Sequence, residues 1–504
     1  MRTHTLADED YAAAADAVGV CVRPVLTRVT DTETGSTRIV PIACGATREA
    51  VCRACAAKAR RVRMQQCREG WHRTDEPDTS EPDPQDLDDE IVDAEPEEES
   101  PSRRVRSTRR RQDVPDLPRV PMSSRTVGTT FTAPDGKTYQ PSMFLTLTLP
   151  SYGPVRGDGT PLDPARYDYR RAALDALHVG KLIDRFWQNT RRCAGYHVQY
   201  FASIEPQRRL APHMHAAIRG VLPRAVVREI VAATYVQVWW PHIDEIIYPA
   251  DDPQPEFDDY TARYVDPTTG TLLPTWDDAL DRIDNDPTST PMHVVRFGTQ
   301  LDMQGIIAGT PDADRSIRYL TKYLAKSMNG DMNAAGATDR QHAHAERLTA
   351  ELRWLPCSPK CANWLRYGVQ PKDPTPGLVA GHCPNKAHDA EHLGYGGRRV
   401  LVSRKWSGKT LTEHRADRAA VVRAVLDAAG IQTDDHGKYS ATTDDGPSRF
   451  VWERIDPREA DAPTYARAIA DSIRRAQRWR AEYDLAKQRA GPNPSIQHSQ
   501  AQIA

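Results

Sequence analysis

Ala211-Pro212-His213-Met214-His215-Ala216-Ala217-Ile218-Arg219-Gly220 sets two histidines one apolar residue apart within a short run of strand character. Successive side chains of a strand point to opposite faces. His213 and His215 therefore project from one side, while Met214, Ala216 and Ile218 project from the other and are set for burial. The polar face aims two imidazoles at one point, an arrangement that suits a single divalent cation.

Upstream, Tyr196 to Glu205 reads as a second strand and Pro206 to Pro212 as the turn joining the two. Glu205 is in phase with His197, Gln199, Phe201 and Ser203, so a hairpin brings its carboxylate beside His213 as a third ligand. Two neutral imidazoles and one carboxylate leave coordination positions for substrate oxygens, which suits a divalent cation that must bind phosphate. Earlier still, Phe144-Leu145-Thr146-Leu147-Thr148-Leu149 alternates apolar residues with threonine, a strand signal. A helix is expected from about Arg170 to Arg192, with Leu174, Leu177, Leu182, Ile183 and Phe186 on its apolar stripe.

Downstream, residues 223–238 read as helix, 241–290 as a Pro- and Asp-rich insertion over the core, and His293 to Phe297 as a strand. A further helix follows Thr310 as N-cap and Pro311 as first residue. It carries Tyr319-Leu320-Thr321-Lys322-Tyr323-Leu324-Ala325-Lys326, two tyrosines and two lysines each four apart. On a helix Tyr319 and Tyr323 share a face about 5–6 Å apart. Lys322 and Lys326 form a parallel row able to hold a phosphate. A tyrosine that attacks DNA becomes a phosphotyrosine and conserves the energy of the broken bond.

The chain has 504 residues and a net charge of −2, yet residues 75–99 hold fourteen acidic side chains and no basic one, leaving about +12 for the rest. A positive body fits a polyanionic partner. The sequence shows no signal peptide and no apolar run long enough to span a membrane, so a cytoplasmic protein without membrane contact is expected. The nine cysteines cluster, favouring metal over disulfides. Cys21, Cys44, Cys52 and Cys55 offer four thiolates for a structural zinc; Cys52, Cys55, Cys67 and His72 form an alternative set. Cys357, Cys361, Cys383 and His388 make a second zinc set, with His382 and His392 as rival fourth ligands. Cys193 stands alone and reads as a buried core residue.

Ser407-Gly408-Lys409-Thr410 imitates the end of a nucleotide-binding loop, but Ser403 stands where that loop needs glycine. No ATPase domain is expected, so strand separation falls to a host helicase. Arg398, Arg399, Arg404, Lys405 and Trp406 combine cations with an aromatic, either as a lobe that binds DNA phosphates and stacks a base or as a charged surface over a packed tryptophan.

The order FLTLTLP, then Glu-x7-His-x-His, then Tyr-x-x-Lys-Tyr-x-x-Lys resembles the HUH endonucleases, specifically the rolling-circle replication initiators of actinobacterial plasmids and integrative elements. The resemblance spans most of the chain. It implies a five-stranded antiparallel sheet with flanking helices, so the expected fold is α+β, to which the cysteine spacing adds two small Cys-rich zinc-binding lobes and the charged tail a helical C-terminal region. The resemblance also implies Mg²⁺ or Mn²⁺ at Glu205, His213 and His215, with Tyr319 or Tyr323 as nucleophile beside Lys322 and Lys326. The expected partners are origin DNA, single-stranded or hairpin, and a host helicase and DNA polymerase. Both tyrosines fit the family's pattern, although Ser316 replaces the leading apolar residue before Tyr319. A relaxase or transposase of the same chemistry, or a non-catalytic zinc-containing DNA-binding regulator, are the alternatives.

The expected organisation is a Cys-rich zinc-binding lobe at 1–73, an acidic and basic disordered linker at 74–125 and the endonuclease domain at 126–330. A Cys/His zinc lobe with a candidate DNA contact follows at 345–412, then a helical region with a frayed tail at 413–504.

Overall fold

The computed structural model describes residues 8–73, 114–322, 324, 336–428 and 450–490, apart from 129, 133, 135, 137, 398 and 460. Tyr323, Lys326 and Arg398, and most of the acidic and basic linker, lie outside the described residues. The chain divides into two compact units. One combines residues 1–72, 317–326 and 407–504; the other combines 73–316 and 327–406.

The larger unit is built on a five-stranded antiparallel sheet. Its order is Leu301–Ile307, Pro141–Thr148, Pro212–Arg219, Tyr200–Pro206 and Val400–Val402. The alternation of the histidine strand holds: Met214, Ala216 and Ile218 are buried with Leu145, Leu147 and Ile204 in the main core. The long helix Tyr169–Ala194 packs into the same core through Leu174, Leu182, Ile183 and Phe186. Asp168 caps its start by accepting from the Arg171 amide at 2.9 Å, and Gly195, in the left-handed region at φ 67°, ends it. Trp187 stacks flat on Tyr200, rings 3.7 Å apart, tying helix to sheet.

One local expectation is corrected. Residues 223–238 are not one helix: the helix runs Arg224–Ala233 and Tyr235–Val238 is a strand. Thr234 turns extended at φ −92°, and Tyr-Val-Gln-Val, alternating and β-rich, then pairs with His293–Arg296. That second strand exists as expected and forms a two-stranded ribbon with the first. The edge strand Leu301–Ile307 was not legible, because Gly305 and an exposed Gln304 interrupt its alternation. Within the insertion, a short hairpin (Glu256–Asp258 with Arg263–Val265) and the helix Trp276–Asn285 form ordered structure.

The smaller unit holds a three-stranded antiparallel sheet in the order Phe450–Arg454, Val25–Asp31, Thr37–Ile42, with helices Asp8–Val18, Arg53–Trp71, Leu411–Ala428 and Tyr465–Ala490. Arg28 joins its distant segments through Glu459 at 2.8 Å and Asp461 at 3.1 Å. Lys409 is fully engaged, 2.9 Å from Asp417 and 3.5 Å from Glu69, and Thr410 and Glu413 cap the following helix reciprocally. These contacts give the Ser-Gly-Lys-Thr stretch a structural task. No helix among the described residues is long and apolar enough to cross a membrane.

Candidate functional site

The strand register builds the first cluster. Glu205 and Thr148 both pair directly with His213, while Ser203 and Thr146 pair with His215. One ligand atom each from Glu205, His213 and His215 lies within 4.8 Å of the others. The two Nε2 atoms are 2.8 Å apart, so both rings turn this nitrogen to one point. Thr146 Oγ1 meets His215 Nδ1 at 2.9 Å, which leaves Nε2 for the cluster, and Phe144 stacks on the same ring at 5.9 Å. Ser203 Oγ donates to Glu205 Oε1 at 3.0 Å. Burial holds His213 down at about 4 and, helped by its neighbour, His215 at about 3, so both rings are neutral at physiological pH as metal ligands must be. Two neutral imidazoles and a buried carboxylate fit a divalent cation with room for oxygen ligands.

The hairpin turn is braced from several sides. Arg209 donates to the carbonyls of Leu149 and Pro150, both at 2.6 Å, and lies over the Tyr152 ring. Tyr167 hydroxyl donates to the Arg209 carbonyl at 2.9 Å. Buried Leu210 is held in the left-handed region at φ 64°, so the turn geometry is imposed by its surroundings. Gly159 passes so close to Arg208 that an added Cβ would lie 2.4 Å from its backbone.

Beside this end of the sheet, Tyr152 hydroxyl donates to the buried carboxylate of Asp175 at 2.9 Å, and His293 Nε2 meets the other oxygen at 2.7 Å. Arg170, Arg171, His293 and Arg296 then line a cleft of about 410 Å³. Sequence reasoning missed this basic cleft, whose parts lie more than one hundred residues apart. It also missed Thr146 and Ser203 as supports, although their strand phase marks them.

The tyrosine helix spans Pro311–Lys322, with Ala313 donating to Thr310 Oγ1 at 3.4 Å as its sequence requires. Ile317, Leu320 and Thr321 are fully buried, whereas Arg318, Tyr319 and Lys322 are exposed together on the other side. Tyr319 thus faces solvent among cations. It lies in the smaller unit and the histidine cluster in the larger.

Both cysteine groups assemble. Cys21, Cys44, Cys52 and Cys55 bring their sulfurs within 4.8 Å of one another, and Cys44 Sγ is 3.6 Å from Cys55 Sγ. Cys67 and His72 are outside this group; Cys67 is fully buried, which pushes its thiol up. Cys357, Cys361, Cys383 and His388 form the second group, to the exclusion of His382 and His392. His388 Nδ1 bonds the Leu352 carbonyl at 2.7 Å and turns Nε2 to Cys361 Sγ at 3.6 Å. Each set has the four donors of a tetrahedral site. Cys193 is buried in the main core.

The expected DNA-contact group divides. Arg404 is exposed and Lys405 half-buried, and the Arg399 carbonyl accepts from Ile204. Trp406 is a correction: it is fully buried, with the Arg219 guanidinium 5.3 Å over its ring, so it packs the sheet and has no face to offer a base.

The His-x-His and glutamate cluster thus sits on the antiparallel sheet of an α+β fold as a donor set that could hold a metal ion, with an exposed tyrosine on the helix after the edge strand. The family described as "Replication initiator protein, pSAM2" matches residues 8–475, and the chain belongs to it. A replication initiator protein of Streptomyces ambofaciens is 28% identical over 240 residues, covering 41% of this chain and 46% of the relative. The chain thus spans about half the length of that curated relative. No solved structure matches.

Proposed function

We propose that this chain is an HUH-type replication initiator that nicks a single DNA strand at an origin and starts rolling-circle replication. The observation that carries this reading is the register that sets Glu205 opposite His213 with His215 one pleat further, all three donors within 4.8 Å. Family membership supports the initiator role.

Glu205, His213 and His215 would hold Mg²⁺ or Mn²⁺, which supplies charge that polarises the scissile phosphate and favours its attack. Thr146 and Ser203 keep the ligands oriented. Tyr319 or Tyr323 loses its proton and its oxygen bonds to phosphorus, while the bond to the 3′ oxygen breaks and that oxygen takes up a proton. The 5′ end stays on the tyrosine, and the free 3′-OH primes a polymerase supplied by the host, with a host helicase opening the duplex. Lys322 and Lys326 neutralise the phosphate during attack. A second tyrosine, or a repeat of the reaction, ends the round. Each cysteine group binds one zinc and braces a small lobe. The protein works in the cytoplasm.

The test is a strand-transfer assay with Mn²⁺ and a labelled single strand from the origin of the source replicon. The expected result is a denaturation-resistant protein–DNA adduct that disappears with chelator or in His213→Ala. Tight binding of the same DNA without any adduct would instead mark a non-catalytic regulator.

A further inference from the structure

The helix Arg53–Trp71 carries a charge pattern that nicking does not use. It has six cationic residues, Arg53, Lys58, Arg60, Arg61, Arg63 and Arg68, and one carboxylate, Glu69. That carboxylate is turned to Lys409 and buried His414. The exposed positions are Arg53, Ala57, Lys58 and Arg61, one face at helical spacing with a small residue in its middle. Arg53 meets Asp16 at 3.2 Å in a solvent-exposed pair, a kind of contact that is weak and readily exchanged.

A further cation stands beside this face. Arg418, half-buried on the neighbouring helix, donates to Gln65 at 3.5 Å, and burial together with Arg61 pulls its guanidinium below its usual range. Folding has thus placed like charges side by side, an arrangement relieved by a polyanion. The helix is also held stiffly. Cys52 and Cys55 at its start belong to the four-thiol group, and Arg60 Nε donates to the Thr321 carbonyl at 2.9 Å, next to the turn bearing Tyr319 and Lys322.

We propose that the Arg53–Lys58–Arg61 face is a docking surface for duplex DNA, lying along the major groove with its cations on the flanking phosphates. The three cations span about 12 Å of helix axis, and a helix of this kind fits a major groove about 12 Å wide. The face lacks the aromatic side chains on which single-strand platforms stack bases, and Trp71, the helix's one aromatic, is buried. The inference shares with the nicking proposal only that the chain handles DNA. It adds a second, uncut segment of DNA held by the unit that carries Tyr319.

The experiment uses the full chain, a 30-base-pair mixed-sequence duplex and the single strand of the same sequence, with affinity read by fluorescence polarisation across salt concentration. Lys58→Ala/Arg61→Ala should weaken duplex binding at least about tenfold and reduce the log–log salt slope by about two. Single-strand binding and adduct formation on a pre-melted origin strand should stay within about twofold of the parent. Lys58→Arg/Arg61→Lys, which keeps both charges, should restore duplex affinity; this separates a charge effect from a folding defect. Unchanged duplex affinity in the alanine pair, or equal loss on the single strand, overturns the proposal. An absent adduct in the parent would sink the nicking reading while leaving the duplex result to stand or fall on its own.

Discussion

The histidine cluster and the tyrosine helix are built on opposite principles. The cluster is fixed by backbone register: neighbouring strands hold Glu205, His213 and His215 in place, and Thr146, Ser203 and the braced turn at Arg209 and Leu210 restrain them further. Tyr319 stands on an exposed helix face, secured from behind by Ile317 and Leu320. A metal site must be preformed, because misplaced ligands lose coordination steeply. In the proposed mechanism a tyrosine that stays joined to DNA and later releases it gains from access to solvent. The contrast makes the cluster sensitive to its supports and the tyrosine sensitive to its own identity.

The largest effect should come from the ligands. His213→Ala or His215→Ala is expected to cut nicking by about 10³-fold or more, with little change in thermal stability, as followed by adduct yield and melting temperature. A large fall in stability would mean the pair serves packing instead. Removal of metal from the cysteine groups comes next: Cys357→Ser should release one equivalent of zinc and lower the melting temperature by several degrees, read by metal analysis and calorimetry. Unchanged zinc content would show that the four donors are merely a buried cluster.

On the helix, Lys322→Ala should slow adduct formation by about 10²-fold while leaving metal affinity as it is. An equal loss of metal affinity would erase the distinction between the two regions. The smallest effect is reserved for the support of His215. Thr146→Val keeps the strand but removes the bond to Nδ1, and should weaken Mn²⁺ binding by about tenfold. Calorimetric titration measures this, and full affinity would show that register alone suffices.

These differences also mark what could be read in advance. The two-residue period of the histidine strand and the phase of Glu205 fix which side chains converge once the hairpin forms, so the cluster is legible from a short stretch. The cysteine groups are legible by spacing, although only the folded chain selects Cys21 and Cys44 over Cys67 and His72, and His388 over His382 and His392. The strand Leu301–Ile307 is hidden because a glycine and polar residues break its pattern. Trp406 misleads because an aromatic among arginines looks the same in sequence whether it faces solvent or, as here, lies under Arg219. The cleft of Arg170, Arg171, His293 and Arg296 depends on contacts between distant segments that no local pattern announces.

The most direct test of the account is to locate the DNA on the protein. Trypsin cuts after Arg318, Lys322 and Lys326, placing Tyr319 and Tyr323 on separate peptides. Mass spectrometry of the nuclease-trimmed adduct should find a nucleotide phosphate on the peptide Tyr319–Lys322 or on Tyr323–Lys326, and nowhere else. A nucleotide on any other residue, or nicked DNA with no covalent peptide, would contradict the tyrosine mechanism.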